Sequence, residues 1–296
     1  MKEFEKYLFG WSLIKDVGYR RLSTILSHFK DPKVAWFEFG KEGTYIKGFG
    51  KKLTEKIKQA INKIDIEKEI NNVRKKGIEI ITLYSSGYPE LLKKISSPPI
   101  VLYVLGRLPT GNYISIVGTR RPSSYGIFMA EKISRELVEY GGIVVSGMAR
   151  GIDAHSHLSA VKNDGYTIAV LGTGVDVVYP REAKRLYKEI IDRGAVISEY
   201  PLGTLPIREN FPKRNRIIAG LSLGTLVVEA PLKSGALITA KFAIDEGREV
   251  FALPGRIDSN FSSGTNKLIK EGAKLVESAK DIVEEFPYIN WERVSK

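Results

Sequence analysis

The chain has 296 residues, 43% of them hydrophobic, with no cysteine, three histidines and a formal net charge of +12. That composition excludes disulfides, zinc–thiolate sites and thiol nucleophiles, and neither a membrane span of roughly 20 apolar residues nor the apolar stretch of a signal peptide occurs. The length fits one main domain beside a smaller one in a cytoplasmic protein; the positive balance fits either an anionic polymer as partner or a Lys/Glu-rich solvated surface.

The charge is uneven. Residues 1–77 carry 18 Lys+Arg against 10 Asp+Glu, while residues 78–296 carry 28 against 24. The first segment reads as short helices. LIKDVGYRRLSTILSHF (13–29) has helical spacing after a glycine, and IKGFGKKLTEKIKQAI (46–61) repeats the scheme with two lysines after the glycines. Such a helix–Gly-turn–helix can aim free N–H groups at a phosphate; equally, its glycines can be plain C-caps in a small helical bundle. Residues 78–112 read as a connector joining the sheet, with Gly-Tyr-Pro and Ser-Ser-Pro-Pro turns and a strand at Val101–Leu105.

From Tyr113 to residue 288 the rhythm is strand, glycine turn, helix. Strands are expected at 114–118, 143–147, 167–172, 195–200, 225–230 and 249–255, each a continuous apolar run of the kind covered on both faces. The fold class expected is therefore α/β: a doubly wound, mostly parallel, Rossmann-like sheet with a small N-terminal all-helical domain and functional loops at the strands' C-terminal ends. Residues 289–296 form a short tail, too short for a further winged-helix domain.

The loops leaving these strands repeat one chemistry: GTRRPSSYG (118–126), SGMARGIDAH (146–155), GTGVDVVYPRE (172–182), YPLGTLPIRENFPKRNR (200–216) and APLKSGALITA (230–240). Glycines let a ligand approach the backbone, and a parallel sheet gathers Arg120, Arg150, Arg181, Arg214 and Lys233 on one rim, where they can meet phosphates or pair with Asp153, Asp176, Glu182 and Glu209. Enzyme signals are weak by comparison. GTGVDV lacks the third glycine of a dinucleotide fingerprint and no Walker A sequence occurs. His155 and His157, two apart on a helix, point to different sides and complete no metal set. Ser146 has no evident catalytic partner, so neither catalytic residues nor cofactor nor metal are expected.

Taken in order, GTRRPSSYG, VVSGMARGIDAHSH, TIAVLGTGVDVVYP, FPKRNRIIAGLS, VVEAPLKSGALITAKFAIDEGREVFALPG and GTNKLIKEGA resemble the DprA/Smf family of DNA-processing proteins, over roughly residues 78–285; the first 77 residues look like that family's small helical (SAM-like) domain. The resemblance implies a non-enzymatic protein that binds and protects single-stranded DNA, helps load RecA during natural transformation, and dimerises through the Rossmann-like domain, with no membrane partner. The family's Gly-(Ser/Thr)-Arg falls on Gly118, Thr119 and Arg120, its Phe-Pro-x-Arg-Asn on Phe211, Pro212, Arg214 and Asn215, and the basic residue after its Tyr-Pro on Arg181. Arg150 joins them from the second loop. Lys213, Arg214 and Arg216 are expected as one basic cluster at a helix start, with Phe211 beside it offering a stacking face and IIAGLS buried behind. The alternative is a nucleotide-binding or nucleotide-hydrolysing enzyme of the wider Rossmann-like group, with Glu199 or Glu229 as its acid.

Overall fold

Asp31 followed by Pro32 is a strong helix start, and the Asp31 carboxylate accepts N–H bonds from Lys33 and Val34 at the head of the helix Pro32–Glu42. The computed structural model describes residues 1–291, so most of the expected tail lies outside the described residues. The chain divides into two units, Met1–Tyr103 and Val104 onward. The first unit thus runs past the residue 77 expected from charge and helical spacing, because the apolar residues that follow (Ile78, Ile81, Leu83, Tyr88, Leu92) are themselves buried.

This first unit holds α1 (Glu3–Ser12), α2 (Tyr19–Phe29), α3 (Pro32–Glu42), α4 (Lys51–Lys63), α5 (Ile66–Lys75), β1 (Glu79–Thr82), α6 (Glu90–Lys93) and the first half of β2 (Val101–Gly106). Its core is aromatic: the Trp11 ring meets Trp36 and Phe39 edge-on at 5.4 and 5.6 Å, and the Trp11 indole N–H donates to the Pro32 carbonyl. Gly18 and Gly50 stand at the N-caps of α2 and α4 in extended backbone. The helix expected after the glycine of 13–29 begins at Tyr19, and both glycines are starts of helices rather than C-caps.

In the second unit the strands are β3 (Asn112–Val117), β4 (Gly142–Ser146), β5 (Thr167–Val170), β6 (Gly194–Ser198), β7 (Gly224–Val227), β8 (Glu249–Ala252) and β9 (Lys274–Leu275). Their spatial order is β6-β5-β4-β3-β7-β8-β9, with every neighbouring pair parallel. The helices α7 (Ser124–Glu139), α8 (Ile152–Lys162), α9 (Lys184–Arg193), α10 (Asn210–Leu221), α11 (Gly235–Asp245), α12 (Ser263–Lys270) and α13 (Ala279–Val283) cover the two faces. Residues of β4, β5, β6 and β7 are buried throughout, as continuous apolar strands require. Hydroxyls on the strands satisfy one another or backbone carbonyls: Ser115 with Thr225 at 2.6 Å, Thr167 with the Val144 carbonyl at 2.8 Å.

The chain winds outward from β3 through β4, β5 and β6, then returns to place β7 on the other side of β3. That reversal opens a crevice beyond the C-terminal ends of β3 and β7, where open α/β sheets bind ligands. The fold is the doubly wound Rossmann-like sheet read from the sequence.

Candidate nucleic-acid interface

The floor of this crevice is an arginine. Arg214 is only 4% exposed, and its Nη1 donates to the carbonyls of Gly147 (2.8 Å) and Val170, while Nε donates to the Asn215 amide oxygen at 3.1 Å. A side chain on residue 147 would put its Cβ 2.5 Å from Nη2, so the turn after β4 carries glycine there. Asp153, at the start of α8, is buried beside it and accepts the N–H groups of Gly147 and Ala149 at 3.2 and 3.3 Å. Burial lowers the Arg214 pKa to about 10, with Asp153 opposing, and burial raises that of Asp153, with Arg214 opposing. The guanidinium therefore stays charged at neutral pH.

Above the floor stands Phe211, half-buried at the head of α10. Its ring lies 5.4 Å from the Tyr179 ring at a 40° tilt, and the Arg120 guanidinium sits 5.9 Å from its centroid. Arg120 is delivered by the turn after β3. That turn crosses the one after β4 at Gly151, whose φ is +76° and where any Cβ would collide with the Thr119 carbonyl. The Ile152 N–H bonds the same carbonyl at 3.2 Å and fixes the crossing.

Two adjoining cavities share this centre, of about 710 and 780 Å³. Gly118, Thr119, Arg120 and Asn215 line the first; Arg120, Arg150 and Arg181 line the second; Phe211 and Arg214 line both. Lys213 and Arg216 line neither. Successive helical residues turn by about 100°, so Lys213, Arg214 and Arg216 cannot present one basic face. Lys213 is exposed, Arg214 points into the floor, and Arg216 pairs with Glu199, both side chains less than a fifth exposed. The expected three-residue cluster is thus dispersed. Arg150 is exposed but paired with Glu182.

Cations that the sequence left out of the site replace the dispersed ones. Arg121 and Arg208 line the first cavity with Lys233, and Arg121 lines the second as well. With Arg120 and Arg181 they are exposed, and none of the five makes an ion pair among the described residues. Arg121 was legible as the neighbour of Arg120, and Lys233 was already on the rim; Arg208 in the long PIREN loop carried no signal. Tyr179 was also missed, although an aromatic residue before Pro180 at a strand-end loop was there to notice.

The carboxylates considered for catalysis are otherwise engaged. Glu199 pairs with Arg216. Glu229 is buried at the end of β7, where its carboxylate accepts the N–H (2.9 Å) and hydroxyl of Ser123 and so fastens the head of α7. His155 pairs with Glu131 at 2.8 Å. His157 is fully buried; Thr167 spends its hydroxyl proton on Val144, so His157 Nδ1 carries the hydrogen in their 2.7 Å bond. Burial pushes His157 down to a pKa of about 3, with the Arg214 charge adding to the shift. Among the described residues no group of three or more potential ligands could hold a metal, and no helix is long and apolar enough to cross a membrane.

The family model described as DNA recombination-mediator protein A matches residues 79–287. Protein Smf of Synechocystis is 42% identical over 285 residues, covering 94% of this chain and 72% of that protein. The X-ray structure of DNA processing protein A from Streptococcus pneumoniae matches with a TM-score of 0.84 and 34% identity, over 96% of this chain and 99% of that one. The structure of DNA processing protein A from Helicobacter pylori, which concerns that protein's single-stranded DNA binding mode, matches at 0.64 and 30%, over 71% and 95% of the two chains. The match of the family model across the whole Rossmann-like unit, with the Gly118–Arg120 and Phe211–Asn215 motifs meeting at its switch point, carries the assignment: this chain belongs to the DNA recombination-mediator protein A (DprA/Smf) family.

Proposed function

We propose that this protein binds single-stranded DNA without turning it over, at the crevice beyond β3 and β7. The observation that carries the reading is the combination of five cations without an ion pair among the described residues and the Phe211–Tyr179 aromatic pair around two adjoining cavities. Backbone charge plus an aromatic face is the chemistry of sequence-tolerant single-strand binding, because phosphates meet the cations and any unstacked base has a π-face for the ring. A duplex keeps its bases stacked and gains only the charge term. Gly118, Thr119, Arg120, Arg181, Phe211, Arg214 and Asn215 would form the core of the site, with Arg150 at its edge and Lys213 and Arg216 outside it.

In this reading the protein acts as a homodimer through its Rossmann-like unit in the cytoplasm, shields the strand from nucleases and passes it to RecA; membership of the family and the name of the H. pylori relative's structure support it. A nucleotide-hydrolysing enzyme is the weaker reading, since its two candidate acids, Glu199 and Glu229, are held by Arg216 and Ser123. Fluorescence anisotropy with single- and double-stranded oligonucleotides of one length, at two salt concentrations, tests the proposal. Single strands should bind more tightly, with little sequence preference. Equal or tighter duplex binding would overturn it.

A further inference from the structure

Apart from Lys233, the head of α11 plays no part in the account so far, yet it forms one wall of the first cavity. Lys233, Ser234, Gly235 and Thr239 all line it. Ser234 caps the helix, its hydroxyl accepting the Ala236 N–H at 3.3 Å. The Gly235 N–H, first in the helix, has no hydrogen-bond partner among the described residues, and the space where a Cβ would stand is open. Lys233 is exposed and unpaired. The Asn215 amide donates to the Gly235 carbonyl at 3.3 Å and ties this turn to α10.

A bare helix start would carry little weight; Thr239 adds an independent reason. It is 1% exposed and lines the cavity, and its hydroxyl makes no hydrogen bond to any described residue. Helical side chains lean toward the N-terminus, so a residue four positions on reaches back beneath the turn of residue 235. Lining the cavity and unbonded within the described protein, this hydroxyl leaves its hydrogen-bonding capacity to whatever fills that space. Here an exposed ammonium, an amide N–H and a hydroxyl, both unbonded among the described residues, line one wall of a cationic cavity with the positive end of the helix dipole behind them.

We propose that the first turn of α11 is a second phosphate subsite, in which Lys233, the Gly235 N–H and the Thr239 hydroxyl hold a phosphate of the strand whose neighbouring nucleotide lies against Phe211. The inference rests on the single-strand reading above and adds a wall that none of the expected site residues occupies. The phosphate is either an internal phosphodiester or the monoester at a strand end, and the two are separable. Oligothymidylate with a 5′-hydroxyl and the same strand with a 5′-phosphate are titrated by anisotropy against the wild type, Lys233→Ala, Lys233→Ala with Thr239→Val, and Arg120→Ala, with melting curves for each. Lys233 is exposed, so its single variant keeps the test valid should the threonine change disturb folding. The α11 variants should weaken binding several-fold and lower the salt slope by about 0.7, the value of one single-strand phosphate contact. If both strands weaken alike, the subsite holds a phosphodiester. If the 5′-phosphate tightens wild-type binding and that gain vanishes in the variants, it holds a strand end. Well-folded α11 variants with unchanged affinity and slope overturn the subsite; the single-strand reading survives that result if Arg120→Ala still weakens binding, and falls with it if Arg120→Ala is silent too.

Discussion

The floor and the rim of the crevice are built from the same residue types and do opposite work. On the floor, Arg214 spends its donors on the carbonyls of Gly147 and Val170 and faces the buried Asp153, with neutral His157 close enough to feel its charge. On the rim, Arg120, Arg121, Arg181, Arg208 and Lys233 are exposed and have no ion pair among the described residues. A charge in the linear sequence does not declare its side. What separates them is whether packing has already supplied a partner. Floor cations hold the turns in place, and rim cations remain available for a ligand.

If that division is right, perturbing the floor should cost stability and perturbing the rim should cost binding. The largest effect is expected from acid. Folded His157 titrates at about 3 against an ordinary 6.5, so the unfolded chain takes up a proton that the folded one refuses. Stability should be full above pH 6.5 and fall progressively toward pH 3, by a total of about 5 kcal/mol at 1.36 kcal/mol per pKa unit. Denaturant unfolding across that range checks it; a His157→Gln variant, which cannot charge, should lose less. A wild-type stability flat between those limits would place the histidine in contact with water.

Next in size, Arg214→Ala leaves the Asp153 carboxyl buried without its counter-charge and should cost about 3–5 kcal/mol of stability. A variant that melts normally but binds DNA poorly would move Arg214 from floor to rim. Phe211→Ala should leave folding nearly intact and weaken single-strand binding by about 1–3 kcal/mol with an unchanged salt slope, because stacking releases no counterions. The loss of slope in that variant would mean that Phe211 acts by holding Arg120 in place.

Much of this architecture was legible. The six strands from β3 to β8 were readable as continuous apolar runs, and the glycine loops at their ends located the crevice. β9, with two residues, is too short for periodicity to mark, and β1 is buried over only half its length, so it reads as connector. The charge changes at residue 77, whereas the buried apolar residues of the first compact unit continue beyond it. Gly118–Arg120, Phe211 and Asn215, drawn from two separate motifs, line one cavity. The fate of Arg214 and Arg216 was hidden because their partners, Gly147, Asp153 and Glu199, come from other strand ends, and only the closed sheet brings them together. Tyr179 was hidden for the same reason: its meaning lies in the Phe211 ring beside it.

The smallest expected effect makes the sharpest test. Arg120 and Lys213 are both exposed, but Arg120 lies against the Phe211 ring and lines both cavities, whereas Lys213 lines neither. Single-strand affinity should be measured over a range of salt for Arg120→Ala and Lys213→Ala side by side, with melting curves for both. Folding should change by no more than about 0.5 kcal/mol in either. The account predicts that Arg120→Ala weakens binding and lowers the slope of log affinity against log salt by about 0.7, while Lys213→Ala leaves both nearly unchanged. Equal losses in the two variants, or a larger loss in Lys213→Ala, would contradict it, for the strand would then follow the exposed face of α10 and not the crevice.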